Sequence, residues 1–165
     1  MAWHIWTIDN WRKIYEDIPH RTGLRLRFDE RVDPEVREEI KRFAKWLRTQ
    51  YYFPVRVPIY CYHALKIQAR DGDLVDGTCL MPDDRREEPY IRIAVGDYCL
   101  LSEKRGGKED VLNSYCACIA HELTHYFQWI NDLKLTDRGM ERQATMYADY
   151  IMENYVEYKK QSVQE

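Results

Sequence analysis

The chain lacks most of the features that would tie it to a membrane, an extracellular scaffold or a nucleic acid. In 165 residues no stretch approaches the ~20 apolar residues that cross a bilayer. There is no internal repeat and no low-complexity tract. A formal charge of −3 gives no general electrostatic reason to bind nucleic acid or an acidic membrane surface. The opening Met-Ala-Trp-His-Ile-Trp-Thr-Ile-Asp-Asn has neither the basic start nor the long apolar core of a signal peptide. Cysteine is present five times, at Cys61, Cys79, Cys99, Cys116 and Cys118, an odd number without framework spacing. Unpaired thiols in a reducing cytoplasm are therefore expected.

What is present describes an ordinary globular chain, 45% hydrophobic and 32% charged, long enough to bury a core without staples. Residues 1–165 are expected to form a single domain. Aromatic residues are plentiful, with 13 Tyr and 5 Trp, and Trp3, Trp6 and Trp11 crowd the first 22 residues. Their spacing allows one shared helical face. This segment is expected to pack on the core; the alternative is that it covers or regulates a cleft.

Hydrophobic periodicity divides the rest. Leu24, Leu26 and Phe28 alternate with Arg25, Arg27 and Asp29, which predicts a strand with one buried face. Asp33-Pro34 reads as a helix cap followed by proline in the first turn. Val36, Ile40, Phe43, Ala44 and Leu47 then recur at helical spacing toward Phe53-Pro54. Alternation returns over Val55–Cys61 and Leu65–Ala69, with Asp71-Gly72-Asp73 as a turn before Leu74–Leu80, and again over Ile91–Val95. Pro58 suggests an edge strand or a bulge. From Lys108 to Ile130 there is neither Gly nor Pro, and the apolar residues keep helical spacing; Met140 to about Tyr158 resumes that pattern. The layout predicts an α+β fold: a small antiparallel or mixed sheet, largely in hairpin order, with helices on one face.

Inside the long helix lies His121-Glu122-Leu123-Thr124-His125. Residues four apart share a helical face, so both imidazoles can converge on one ion. Glu122 can act as general base on a water there without being a ligand. Catalytic zinc takes three protein ligands, so a third is needed. Asn131, six residues past His125, is an amide and a poor ligand. Cys118 sits one turn before His121, but a buried structural thiol is its commoner role. Glu141 lies sixteen residues past His125, near the start of the final helix. In an antiparallel hairpin both side chains fall within about two turns of the bend. Glu141 is the preferred third ligand, against the ordinary use of a carboxylate at a helix start; Asp132, Asp137 and Asp149 are the alternatives. Ala144 and Ala148 would let the helices approach closely.

His121-Glu122-x-x-His125 followed by Glu141-x-x-Ala144-x-x-Tyr147-Ala148 resembles the gluzincin arrangement of metallopeptidases in minimal form. It is also loosely similar to the small bacterial ImmA/IrrE-type peptidases. The resemblance spans residues 109–157 and implies a zincin-like fold, with a twisted sheet above the motif helix and an edge strand lining a cleft. Thr145 stands where larger gluzincins carry an Asp that supports a ligand histidine, so the sequence assigns the histidines no partner.

The expected activity is zinc-dependent peptide hydrolysis with one Zn2+ per chain, a peptide or protein as substrate, and Glu122 moving the proton. Tyr147, Tyr150 and His63 are candidates to stabilise the oxyanion. The strand Tyr90–Val95 is the expected substrate-binding edge, and Asp83–Glu88 a flap or a solvated loop. The alternatives are a zinc-binding regulatory or interaction module with little proteolytic activity, or an accidental motif.

Overall fold

The computed structural model describes residues 4–104 and 106–164. A single helical turn, α1 (Trp11–Ile14), precedes β1 (Leu24–Phe28), in which Leu24 is buried and Arg25 and Arg27 are exposed. α2 (Pro34–Gln50) is capped by Asp33, whose carboxylate accepts the Glu35 N–H at 2.8 Å. Pro34 occupies the first turn, where no intrahelical N–H is required. Val36, Ile40, Phe43, Ala44 and Leu47 are buried as the periodicity requires. Next come β2 (Val57–Tyr62), the short β3 (Ile67–Gln68) and β4 (Leu74–Val75), then β5 (Gly77–Leu80) and β6 (Tyr90–Ala94). Three helices complete the chain: α3 (Tyr98–Lys104), which the periodicity did not reveal, α4 (Lys108–Ile130) and α5 (Asp137–Gln164).

The main sheet is mixed, in the order β1-β2-β6-β5. Its first three strands are parallel, with Leu26 opposite Ile59 and Ile59 opposite Ile91; only β5 runs antiparallel, against β6. The expected hairpin order therefore fails within most of the sheet. α2 separates β1 from β2, and 27 residues separate β2 from β6, so both crossovers are long enough for parallel pairing. Hairpin geometry survives in β3–β4, closed at Gly72, whose φ of +92° suits glycine. Pro58 lies in an interior strand rather than at an edge. Because the Val57 N–H turns to β1, bonding Gly23 O, the Pro58 nitrogen faces β6, whose ladder begins only at Ile59. The missing donor costs nothing there.

β6 is likewise interior, between β2 and β5, so the edge strand beside the motif helix is β5 and not Tyr90–Val95. α4 lies against β5, β6, α2 and α5. Ile59, Ile91 and Ile93 from the sheet join Ile119 and Leu123 from α4 in one buried cluster with Phe43 of α2 and Tyr155 of α5. α5 begins earlier and ends later than its apolar pattern suggested. Thr136 caps it: its hydroxyl accepts the Gly139 N–H at 3.0 Å and its carbonyl the Met140 N–H.

The N-terminal segment does join the core, though not as one helical face. Trp6 is buried, stacked on Phe127 with ring centroids 4.9 Å apart, while Trp11 sits on the separate turn α1 and is half-buried; Trp3 lies outside the described residues. All five cysteines are unpaired. No helix among the described residues is long and apolar enough to cross a membrane.

Candidate metal centre

α4 and α5 run antiparallel, Gln128 facing Met140 at one end and Asn113 facing Lys159 at the other. The turn between them is a Schellman motif: Leu133 N–H bonds Gln128 O, Asp132 N–H bonds Trp129 O, and Asp132 takes φ +52°. Buried Ala144 lets the second turn of α5 close on the motif. Glu141 thereby reaches both histidines, Oε2 lying 3.1 Å from His121 Nε2 and Oε1 2.9 Å from His125 Nε2. The three donor atoms all fall within 4.8 Å of one another. Tetrahedral zinc with bonds of about 2.0–2.2 Å sets its ligand atoms roughly 3.3 Å apart, so the donor set has the right chemistry and nearly the right span.

Proton bookkeeping sharpens this. Gln128, buried one turn past His125, donates through Nε2 to Met140 O at 3.0 Å and to Gln143 Oε1 at 2.9 Å. Its Oε1 must therefore face His125 Nδ1, 2.8 Å away, and that nitrogen carries the proton. In neutral His125 the lone pair then sits on Nε2, directed at a carboxylate oxygen 2.9 Å off. Two acceptors at that distance need a cation between them, a proton or a metal ion. At His121, burial and the neighbouring His125 lower the pKa despite Glu141.

Glu122 points toward β5 and lines the same cleft as the two histidines and Glu141. It is only 7% exposed, and burial together with the Glu141 carboxylate pushes its pKa up to about 8. The wall opposite is β5, brought close by a glycine: a Cβ at Gly77 would lie 2.6 Å from Cys118 Sγ and 3.4 Å from Glu122 Cγ. Cys118 is thus spent on this contact and is no part of the donor group, and burial raises its pKa. Thr78, Cys79 and Met81 continue the wall, while Trp129, Leu133 and Met140 line the opposite, apolar side of the cleft.

The remaining candidates fall elsewhere. Asp132, Asp137 and Asp149 do not join the donor group. Asn131 is buried and structural: its Oδ1 accepts the Trp11 N–H at 3.0 Å and its amide bonds Phe127 O. None of the three oxyanion candidates lines the cleft. The Tyr147 hydroxyl accepts the Ile5 N–H, Tyr150 packs beside His4, and His63 lies in another hollow at the far end of β2. The Asp83–Glu88 loop is tethered rather than free. Arg85 donates to Trp129 O at 2.9 Å, stands over the Trp129 and Tyr15 rings, and pairs with Asp132.

Two site residues escaped the sequence reading, Gln128 and Gly77. The former had a usable signal, a polar side chain three residues past a ligand histidine on the same helical face. Nothing local marked Gly77, because its role depends on a helix forty residues away. No protein-family model, curated protein or solved structure matches the chain.

Proposed function

We propose that the protein is a zinc-dependent peptide hydrolase of zincin-like architecture, with His121, His125 and Glu141 as ligands and Glu122 as general base. The observation that carries this reading is the pair of facing acceptors, His125 Nε2 and Glu141 Oε1, whose separation calls for a cation. Held there, zinc supplies Lewis acidity and lowers the pKa of water. Glu122, excluded from the donor set yet adjacent to it, takes the proton of the attacking water and returns it to the leaving amine. Its burial favours proton uptake, and a nearby dication opposes that, so the two together bring the carboxyl toward a working range. The antiparallel edge β5 offers main-chain groups to an extended peptide, and the apolar wall of Trp129, Leu133 and Met140 accepts a side chain.

One observation favours the second reading, a zinc-binding module with little proteolytic activity. No Tyr, Lys or Arg, and no histidine beyond the two ligands, lines the cleft to stabilise an oxyanion among the described residues. The deciding experiment compares wild type with Glu122→Gln on a mixed peptide library, with bound zinc measured in both. Cleavage by wild type alone, at equal zinc content, supports hydrolysis. Equal cleavage by both removes Glu122 from the mechanism, and cleavage by neither leaves the module.

A further inference from the structure

The sheet has a second face, turned away from α2 and α4, whose composition departs from that of the chain. The strand registers place Arg27, Tyr60 and Arg92 in one row across β1, β2 and β6, with Arg25 two residues along on β1. Tyr62 and Tyr90 belong to the same face. The other outward positions of the four strands are Pro, Thr, Leu and Ala, so none carries a carboxylate. In a chain with 28 acidic against 25 basic residues, that is a marked segregation of sign.

Among the described residues these arginines have no acidic partner: Arg25 and Arg27 donate to the carbonyls of Leu24 and Leu26, and Arg92 to Gln68 O, its buried Nε meeting no acceptor there. Arg21 and Arg56, just beyond this face, do share a carboxylate, that of Glu88. The tyrosines form a continuous aromatic surface: Tyr60 stacks on Tyr62 at 6.5 Å and meets Tyr90 edge-on at 5.8 Å. With strands ~4.8 Å apart, Arg27 and Arg92 flank Tyr60 at a separation of about 10 Å. The β3–β4 hairpin rests on β6 at one end of this face.

We infer that this face binds single-stranded nucleic acid. Unpaired guanidinium groups suit phosphates and planar rings alike, and tyrosines between them offer platforms on which unstacked bases can lie. An acidic peptide would use the arginines and leave the aromatic row without a role. The overall charge of −3 conceals the face because none of its strand positions is acidic; Asp71, which lines a hollow with Tyr90 and Arg92, comes from the neighbouring β3–β4 hairpin. The inference does not depend on the metal centre, which lies on the α4 side of the sheet.

The test is fluorescence anisotropy of the full chain with labelled oligothymidylate of about 12 nucleotides, titrated from roughly 50 mM salt upward. Saturable binding is expected. The double variant Arg27→Gln/Arg92→Gln should flatten the slope of log affinity against log salt by about 1.4, since each phosphate contact on a single strand contributes about 0.7. Tyr60→Ala should weaken binding about ten-fold with the salt slope unchanged, as loss of stacking does. Glu122→Gln should bind like wild type. The inference is overturned if no saturable binding occurs at low salt, or if the double variant binds unchanged. It is equally overturned if polyglutamate competes as well as unlabelled oligothymidylate, which would make an acidic polypeptide the occupant.

Discussion

His125 Nδ1 and Gln128 Oε1 lie 2.8 Å apart, and the amide nitrogen of the same Gln128 bonds the Met140 carbonyl in the first turn of α5. One side chain therefore fixes which ring nitrogen of His125 is free and where the helix bearing Glu141 begins. Metal-bound imidazoles normally take such a partner from a carboxylate or a backbone carbonyl. Gln128→Leu removes the acceptor at similar volume and should weaken zinc binding about 10–100-fold, measured by competition with a chromophoric chelator. Gln128→Glu keeps an acceptor toward His125 and should recover part of that loss. Unchanged affinity in the Leu variant would remove Gln128 from the site.

Glu141→Gln should weaken zinc further than Gln128→Leu does, because it removes a ligand's charge while leaving its size. Wild type should carry about one zinc per chain by elemental analysis. A variant that still holds a full equivalent against the chelator would assign the third ligand elsewhere.

Gly77→Ala should destabilise the fold, since its Cβ meets Cys118 Sγ at 2.6 Å and the Ile93 methyl at 3.3 Å. Overpacking of this kind costs about 1–3 kcal/mol, or several degrees in Tm for a chain of this length. Cys118→Ala deletes the clashing atom. The double variant should be more stable than the sum of the two single effects, and strict additivity would show that β5 simply moves away.

Tyr126 is fully buried, its hydroxyl donating to Val55 O while accepting the Val55 N–H. Burial holds its pKa far above the usual tyrosine value, and Tyr51 is pushed up to about 12 by the same cause. An acid whose folded pKa is raised contributes its stability below the unfolded value near 10, and loses it as pH climbs past that point. Ultraviolet titration should thus show the exposed phenols ionising first and these two ionising with cooperative alkaline unfolding. Tyr126→Phe should lower stability at neutral pH by about 1–3 kcal/mol, the usual cost of stranding buried backbone partners. Smooth titration of all 13 tyrosines near pH 10 with unchanged circular dichroism would contradict this.

The helices were legible because their information is local. Val36 to Leu47 carries a buried stripe at the 3.6 period, and the Lys108–Ile130 span is free of breakers. The approach of Glu141 to the two histidines was legible as well, since the spacing from His125 sufficed once the hairpin was assumed. Strand order was not. Alternation at Tyr90–Val95 says that one face is buried and is silent about which strands lie to either side. β5 reads as a weak strand of Gly, Thr, Cys and Leu, yet it forms the cleft wall because Gly77 admits the helix. The start of α5 was placed three residues late because the apolar spacing resumes only at Met140, whereas Thr136 caps the turn before it.

Trp6 gives the molecule an order of assembly. Its indole N–H bonds Thr124 Oγ1 inside the histidine motif, and Asn131 grips the backbone at Trp11. During synthesis Thr124 leaves the ribosome more than a hundred residues after Trp6, so this bond forms only then, whatever earlier packing Trp6 finds on Tyr51 and Phe53. Contacts this distant in sequence form late and slow folding. The motif helix therefore acquires its final packing only when most of the chain exists, and any chemistry it performs is withheld from the nascent polypeptide until then.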